Sequence, residues 1–265
     1  MNQRPAIEVH NLSIGYPDRE VARGISFSIG RGEVVALLGR NGCGKSTLLQ
    51  TVTGTLPSLG GRVLINGREL NEISRRQMAR EVSVVVTDNA RDSYLSVLET
   101  VELGRHPYTG FLGNLSAADR RIVDEAIASV GCRHLSGRNV ETLSDGERQK
   151  VSIARALAQD TPVMLLDEPF SFIDVAARLE LLALLKEIAR KGSRSIIFST
   201  HDVAQAFRYA DRLLCFTTDG RVVCGSASEM VAGNIPERLF DTASVVFDPA
   251  LMDYRLKTPP SDPTL

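Results

Sequence analysis

The chain has 265 residues, of which 43% are hydrophobic, so it can bury a sizeable core and is not intrinsically disordered. Its 31 Lys and Arg residues nearly balance 32 Asp and Glu residues, and this net charge of −1 argues against a nucleic-acid partner. The four cysteines are scattered without a CxxC pair, which favours a reduced protein of the cytoplasm without a cysteine metal site.

The N-terminal part of the chain is predicted to form strands around a glycine-rich turn. Residues 7–16 alternate with the period of a half-exposed strand, and residues 32–39 are a continuous apolar run, typical of a strand covered on both faces. The helix after the turn is predicted to end at Gly54. The next strand is predicted to turn back at Asn66 and Gly67 into a hairpin.

The middle of the chain, from about residue 93 to 158, is predicted to be mostly helical. Two helix starts carry the capping-box pattern, in which a serine is followed three residues later by an acid. The first pairs Ser116 with Asp119, and the second pairs Ser144 with Glu147. We also expect no signal peptide and no membrane helix, because no apolar run approaches the ~20 residues that a span needs.

The remaining strands alternate with helices along the C-terminal half. They are predicted in the runs VMLLDEP, SIIFST and RLLCFTT. Strands that alternate with helices indicate a largely parallel α/β sheet, into which the helical middle segment is inserted. A hairpin around Asp219 and Gly220, and then short helices, are predicted before a frayed tail.

The turn after the second strand has the phosphate-loop spacing GxxxxGK[ST]. The residues concerned are Gly39, Arg40, Asn41, Gly42, Cys43, Gly44, Lys45, Ser46 and Thr47. The glycines let backbone N–H groups curve around phosphate oxygens at a helix N-terminus. Lys45 supplies a positive charge near the β- and γ-phosphates, and the Ser46 hydroxyl can bind Mg²⁺. A chance glycine turn is disfavoured because an apolar strand precedes the motif and a helix follows it.

Two acids and a histidine follow later strands at positions where open α/β sheets bind ligands. Asp167 can hold Mg²⁺ through water, and Glu168 can act as a general base toward the attacking water. Two acids alone could equally form a solvated turn, and the phosphate loop upstream decides against that interpretation. His201 could reach a γ-phosphate, although a lone histidine after a strand is more often structural.

The order of these motifs, with LSDGERQKVSIARALAQDTPVMLLDEPFSFID at residues 143–174, resembles the ATP-binding subunit of an ABC transporter. The resemblance extends from Tyr16 to the tail. It implies the fold of an ABC ATPase cassette, which is a P-loop NTPase (RecA-like) α/β core with an inserted helical subdomain and an N-terminal antiparallel β subdomain. The expected organisation is a single domain at 1–256, with core 1–87 and 160–220, helical subdomain 88–159 and C-terminal extension 221–256, before a flexible tail at 257–265.

The resemblance also implies residue roles. Tyr16 corresponds to the aromatic residue that stacks on adenine, and His201 corresponds to the switch histidine. Ser144 and Gly146 lie in the signature that contacts the γ-phosphate held by the opposite subunit. Asp174 ends the loop that crosses the dimer interface. The phosphate-loop residues and the paired acids keep the roles given above.

The signature departs from the family pattern. Asp145 replaces a glycine and Glu147 replaces a glutamine, and the charge of Asp145 should repel a triphosphate unless it pairs with a cation. Ser144 is also explained as a helix cap by its capping box with Glu147. The two explanations are compatible, because a helix N-terminus with free N–H groups also binds phosphate.

The expected assembly is a homodimer with ATP and Mg²⁺ between its subunits. Each chain carries one copy of each motif, so two chains are needed to complete a composite site. The resemblance further implies integral-membrane permease subunits and, through them, a substrate-binding protein. The chain would then lie in the cytoplasm, on the cytoplasmic face of the inner or plasma membrane.

The transported substrate is indicated by softer features. Residues 103–132, with their GR-P pattern, and the run IPERLFDTASVVFDPALMDYRL resemble importers of iron chelates, haem and vitamin B12. An importer of iron chelates, including haem, is favoured. The alternatives are a vitamin B12 importer and a soluble ABC ATPase without a transporter, such as one for iron–sulfur cluster assembly.

The apolar run that begins near Glu81 ends in Thr87 and Asp88, where the family carries a glutamine that contacts Mg²⁺ or the attacking water. Counting back from the GR-P pattern puts the expected position on Thr87, and a shift of one residue would put it on Asp88. Thr87 offers a hydroxyl and Asp88 a carboxylate to metal or water. Asp88 could instead simply begin a turn.

Overall fold

The computed structural model describes residues 4–86, 94–110, 113–171, 173–192 and 194–257. In this part of the chain the strands are β1 (Ile7–Tyr16), β2 (Arg19–Ile29), β3 (Val34–Leu38), β4 (Gly60–Ile65), β5 (Arg68–Glu69), β6 (Val82–Val85), β7 (Val163–Leu166), β8 (Ser195–Thr200), β9 (Arg212–Phe216), β10 (Val222–Gly225), β11 (Val245–Asp248) and β12 (Asp253–Leu256). The helices are α1 (Lys45–Val52), α2 (Arg75–Glu81), α3 (Val97–Glu102), α4 (Ala117–Ser129), α5 (Asp145–Ala158), α6 (Val175–Gly192), α7 (Val203–Tyr209), α8 (Ala227–Ala232) and α9 (Glu237–Phe240).

The N-terminal sheet is antiparallel, with strand order β2-β1-β4-β5. The predicted strand β1 and the hairpin after β4 are confirmed. Asn66 and Gly67 form the turn with φ of 52° and 78°, and positive φ at both central residues matches the right-handed twist of the flanking strands. The structure adds β2, which pairs along most of β1 and in which residues 25–29 alternate between apolar and polar side chains, as in a half-exposed strand.

The central sheet has six strands in the order β10-β9-β3-β8-β7-β6, and all neighbouring pairs except β10 with β9 are parallel. Every residue of β3, β7 and β8 is buried, as their continuous apolar runs predict. Leu38 pairs with Thr200, and Leu166 pairs with Phe198. The carboxyl ends of the three strands therefore meet at one edge of the sheet, where open α/β sheets bind ligands.

The core lies on both faces of the central sheet, because successive side chains of a strand point to opposite faces. On one face, Val35 and Leu37 of β3 pack in a cluster with the N-terminal sheet and α1. On the other, Val34, Ala36 and Leu38 belong to a cluster that includes α5, α6 and α7. The two clusters hold the antiparallel sheet and the helices on opposite sides of the parallel sheet.

The helices α3, α4 and α5 lie between β6 and β7 in the sequence, as the predicted helical insertion requires. Both predicted capping boxes are confirmed at the starts of α4 and α5. Arg105 joins the helices from a buried position. It donates to Asp119 Oδ1 at 2.9 Å and to the Ala158 carbonyl at 2.8 Å, and it lies over the Tyr108 ring at 4.1 Å from its centre.

The strand β6 ends at Val85, and the next described residue is Val86. Thr87 and Asp88, the two residues expected to contact metal or water, lie outside the described residues.

The C-terminal part contains the predicted hairpin, which is β9 and β10 joined through Asp219 and Gly220, and the predicted short helices α8 and α9. A two-stranded sheet of β11 and β12 follows, which the sequence pattern does not predict. Phe247 of β11 is buried against Phe207 of α7, with ring centres 5.4 Å apart. The division into a core, a helical subdomain and a C-terminal extension stays a prediction, as do its boundaries.

Candidate ATP site

The phosphate loop connects the end of β3 to the start of α1. A Cβ at Gly39 would lie 2.6 Å from Cys43 Sγ and 2.9 Å from Phe216 Cβ, so only glycine fits there. The Lys45 side chain is 7% exposed and folds back along the loop. Its ammonium donates to the Gly39 carbonyl at 2.9 Å and to the Arg40 carbonyl at 3.3 Å. The loop therefore holds a buried positive charge beneath its own backbone.

A pocket of 330 Å³ brings eight of the predicted residues together. It is lined by Tyr16, Arg19, Val21, Asn41, Gly42, Gly44, Lys45, Ser46, Thr47 and Glu168. Tyr16 lines the pocket and is 48% exposed, so about half of the residue is accessible. The pocket thus combines a half-exposed tyrosine, a glycine loop with a lysine, and a carboxylate.

Three members of the phosphate loop contribute to neighbouring surfaces. Gly39, Arg40 and Cys43 do not line the pocket that contains Lys45. Arg40 and Cys43 line a second pocket with Phe216, and Gly39 and Arg40 line a third with His201. The Cys43 thiol is half-buried, and burial raises its pKa, so it carries little thiolate at neutral pH.

Asp167 and Glu168 are fixed at the end of β7 by contacts with the neighbouring strands. The Asp167 N–H donates to the Val85 carbonyl at 2.7 Å. The Ser199 hydroxyl donates to Asp167 Oδ1 at 2.5 Å and accepts the Glu168 N–H at 2.8 Å. One hydroxyl therefore orients the first carboxylate and the backbone of the second.

Glu168 has a φ of 48°, in the left-handed region that costs a residue other than glycine about 1 kcal/mol or more. Its Oε2 accepts a hydrogen bond from the Ser171 hydroxyl at 3.3 Å and lies 3.6 Å from His201 Nδ1. The His201 side chain is 69% exposed. The strained turn therefore directs the carboxylate toward the exposed imidazole and the phosphate loop.

The predicted signature residues lie elsewhere. Ser144, Gly146 and Asp174 are not among the residues that line the phosphate-loop pocket. Ser144 begins α5, where its hydroxyl accepts the Glu147 N–H at 3.3 Å and its own N–H donates to Glu147 Oε2 at 2.8 Å. The backbone and hydroxyl of Ser144 hold the pKa of the Glu147 carboxyl below its usual value, so this acid stays ionised at the start of the helix.

Asp145 is paired with a cation, which reduces the repulsion expected between its carboxylate and a triphosphate. Arg148 Nη2 donates to Asp145 Oδ1 at 2.8 Å, one turn along the same helix. This pairing offsets the negative charge that replaces the family glycine.

Asp174 precedes α6, where its carboxylate accepts the Ala177 N–H at 3.0 Å. That backbone hydrogen bond holds the pKa of the Asp174 carboxyl below its usual value. Asp174 therefore stabilises the first turn of α6 as a charged cap.

Two residues of this region escape prediction from sequence. Ser199 sits in a fully buried strand, and its place beside Thr200 and His201 does not show that its hydroxyl contacts the acids. Arg178 of α6 donates to Asp202 Oδ2 and to the Ile173 carbonyl, both at 3.3 Å, and so connects the loop before Asp174 with the segment after His201. The contacts of Ser199 with the acids and of Arg178 with Asp202 join segments distant in sequence, so no local pattern could reveal them.

Comparison with known proteins identifies the family. Residues 22–171 match the family model described as ABC transporter. The iron(3+)-hydroxamate import ATP-binding protein FhuC of Bacillus subtilis (strain 168) is 35% identical over 245 residues, which are 92% of this chain and 91% of that protein. The chain therefore belongs to the ABC transporter family and is an ABC transporter ATPase, which confirms the expected family and fold class.

Two further proteins are similar. The cobalamin import ATP-binding protein BtuD of Halobacterium salinarum is 34% identical over 92% of this chain but only 61% of its own length. CbiO1 from Clostridium perfringens, part of the ABC transporter complex CbiONQ, superposes with a TM-score of 0.74 at 30% identity, over 87% of this chain and 92% of that one. ATPases of this family bind ATP and belong to transporter complexes with permeases. Within the described ranges no helix is long and apolar enough to cross a membrane.

Replacing Ser199 with alanine should lower kcat for ATP hydrolysis about tenfold, with a smaller change in KM, because two hydrogen bonds that orient the acids are lost. Steady-state assays of phosphate release measure both constants. Ser195→Ala is the matched control, since Ser195 is a buried serine of the same strand whose hydroxyl donates to the Gly30 carbonyl away from the acids. Equal kcat in the two variants would contradict the positioning role of Ser199.

Proposed function

We propose that this chain is the ATP-binding and ATP-hydrolysing subunit of an importer for iron chelates, either siderophores or haem. The meeting of the phosphate loop, Tyr16 and Glu168 in one pocket carries the ATPase part of the proposal. The iron-chelate part is supported by FhuC, which this chain matches along nearly its entire length.

In this proposal ATP binds across the phosphate-loop pocket. Tyr16 stacks on the adenine, and the loop residues from Gly39 to Thr47 surround the phosphates with backbone N–H groups. Lys45 binds the β- and γ-phosphates as a positive charge. Glu168 is the general base toward water. His201, whose Nδ1 lies 3.6 Å from Glu168 Oε2, contacts the γ-phosphate.

Ser46 and Asp167 would hold Mg²⁺. The described residues contain no group of three or more His, Cys, Asp or Glu that could hold a metal ion by themselves. A hydroxyl and a carboxylate still suit Mg²⁺, which prefers oxygen ligands and usually completes its shell with waters and substrate phosphates. Mg²⁺ would supply charge neutralisation at the β- and γ-phosphates. Thr87 or Asp88 remains the proposed substitute for the family glutamine.

The active form in this proposal is a homodimer with ATP between the subunits. Ser144 and Gly146 of one subunit would contact the γ-phosphate held by the other, at the N-terminus of α5. The Asp145–Arg148 pair supports this role because it limits repulsion of the phosphates. Asp174, beside the exposed Val175, would contact the opposite subunit.

We also propose that the chain associates with integral-membrane permease subunits at the cytoplasmic face of the membrane, and through them with a substrate-binding protein. Import of vitamin B12 is the second candidate, favoured by the similarity to BtuD. Iron chelates are preferred because this chain spans 91% of FhuC but 61% of BtuD. The proposed organisation is a core at 1–87 and 160–220, a helical subdomain at 88–159 and an extension at 221–256.

Replacing Glu168 with glutamine should preserve ATP binding and lower hydrolysis by about 100-fold or more, because the general base is lost. Phosphate release and ATP-dependent dimerisation, followed by light scattering, are the measurements. We expect the variant to persist as a dimer with ATP. Glu180→Gln, at an exposed acid on α6, is the control for the charge change. Turnover at the wild-type rate in Glu168→Gln would exclude Glu168 as the base.

Replacing Ser144 with arginine should leave ATP binding by the single subunit intact and block the ATP-dependent dimer, because the bulky side chain would occupy the interface. Calorimetry measures binding, and light scattering measures the dimer. Ser116→Arg is the matched control, because Ser116 has the same capping-box geometry at the start of α4. If both variants dimerise alike, Ser144 is only a helix cap.

The transported substrate is tested in a complex of this chain with the proposed permease and substrate-binding protein, obtained by co-purification. The complex is reconstituted in vesicles, and ATP hydrolysis is measured with ferric hydroxamates, haem and vitamin B12. Stimulation by an iron chelate or haem is the expected result, and stimulation by vitamin B12 alone would favour the second candidate. An ATPase that co-purifies with no permease would favour the soluble alternative, such as an ATPase of iron–sulfur cluster assembly.

A further inference from the structure

Arg40, the second residue of the phosphate loop, contacts a part of the chain 199 residues away. Its Nε donates to the Leu239 carbonyl of α9 at 2.9 Å. Its own carbonyl accepts a hydrogen bond from Lys45 Nζ at 3.3 Å. A single residue therefore joins the lysine of the phosphate loop to residues 235–256, which we call the C-terminal segment.

The C-terminal segment is held firmly against the rest of the protein. Leu239 and Phe247 are buried, and the Phe247 ring packs on Phe207 of α7. Arg238 forms an ion pair with Asp219 of the β9–β10 turn. The Leu239 carbonyl is thus a fixed acceptor, and it belongs to the last turn of a helix, where carbonyl groups lack partners within the helix.

The same segment borders the catalytic side of the phosphate loop. A cavity of 660 Å³ lies between them, lined by Gly39, Arg40, Asn41, Glu168, His201, Phe240 and Thr242. The helix α7, on which the segment packs, begins two residues after His201. The segment therefore contacts the phosphate loop directly and supports the helix that follows the switch histidine.

A simpler explanation is that Arg40 is an exposed arginine whose contact contributes little, as most surface pairs do. Two observations argue against it. The acceptor is a backbone carbonyl of a buried residue, so the hydrogen bond forms without the entropy loss of ordering a second flexible side chain. The backbone carbonyl of Arg40 accepts a hydrogen bond from Lys45, so a displacement of Arg40 would also displace the phosphate loop.

We propose that Arg40 is a positioning residue through which the C-terminal segment holds the phosphate loop in its nucleotide-binding conformation. This inference rests on the proposed ATPase function. Preorganised N–H groups bind phosphate without the cost of ordering the loop, so loss of the tether weakens nucleotide binding more than it slows the chemical step. Coupling is reciprocal, so nucleotide bound at the loop also stabilises the C-terminal segment.

The test compares the wild-type chain with Arg40→Met, which keeps an unbranched side chain as far as the position of Nε but loses the donor, and with Arg40→Lys, which keeps charge and a donor. Arg238→Met is the matched control, because Arg238 anchors the same helix to Asp219 without contacting the loop. Calorimetry with AMP-PNP and Mg²⁺ gives Kd, and phosphate release gives kcat and KM. Hydrogen exchange of peptides covering residues 237–247 is measured with and without AMP-PNP.

In Arg40→Met we expect Kd and KM to rise about fivefold, with kcat within a factor of two. AMP-PNP should slow exchange in residues 237–247 of the wild type and of Arg238→Met, but not of Arg40→Met. Arg40→Lys should recover most of the affinity. If Arg40 only attracted phosphate by its charge, Arg40→Met would bind AMP-PNP more weakly, but bound AMP-PNP would still slow hydrogen exchange in residues 237–247. The exchange measurement therefore separates positioning of the loop from simple attraction to phosphate.

The inference is overturned if Arg40→Met matches the wild type in Kd, or if its exchange responds to AMP-PNP as the wild type does. Failure of the proposed function gives a different result, namely no AMP-PNP binding or ATP hydrolysis by the wild-type chain, and that result overturns both.

Discussion

The parallel pairing of β3, β8 and β7 is the constraint on which the candidate site depends. Because Leu38 is in register with Thr200 and Leu166 with Phe198, the three strands end at the same edge of the sheet. The phosphate loop, the paired acids and His201 are thereby brought together although they are far apart in the chain. Ser199 then fixes the acids with one hydroxyl, which contacts both Asp167 and the backbone of Glu168.

The backbone conformations at Gly39 and Glu168 also shape the candidate site. Glycine at position 39 allows Phe216 and Cys43 to pack against the loop, so the loop is supported from behind by β9. Glu168 adopts a left-handed conformation, and its N–H is satisfied by Ser199, which offsets part of the strain. Strain held in this way by surrounding contacts is typical of functional sites, and here it aims a carboxylate at the loop.

The helical insertion carries the same local motif at the starts of two helices. The capping boxes at Ser116 and Ser144 have the same hydrogen bonds, so the geometry of a cap does not by itself distinguish a binding helix from a structural one. What differs is the surrounding charge. At the start of α5 the added acid Asp145 is paired with Arg148, which offsets its negative charge beside the proposed phosphate contact.

The sequence by itself determined the features that depend on neighbours in the chain. Apolar runs defined the buried strands, capping boxes defined the starts of α4 and α5, and the glycine spacing defined the phosphate loop, because burial, helix capping and turn geometry are encoded within a few residues. The tertiary structure alone decided the contacts of Ser199, Arg178 and Arg40, the pairing of β2 and the hairpin β11–β12. The side-chain contacts join segments tens to hundreds of residues apart, and packing rather than local pattern brings such segments together. The two strand pairings are local hairpins, and their packing against the rest of the fold fixes them.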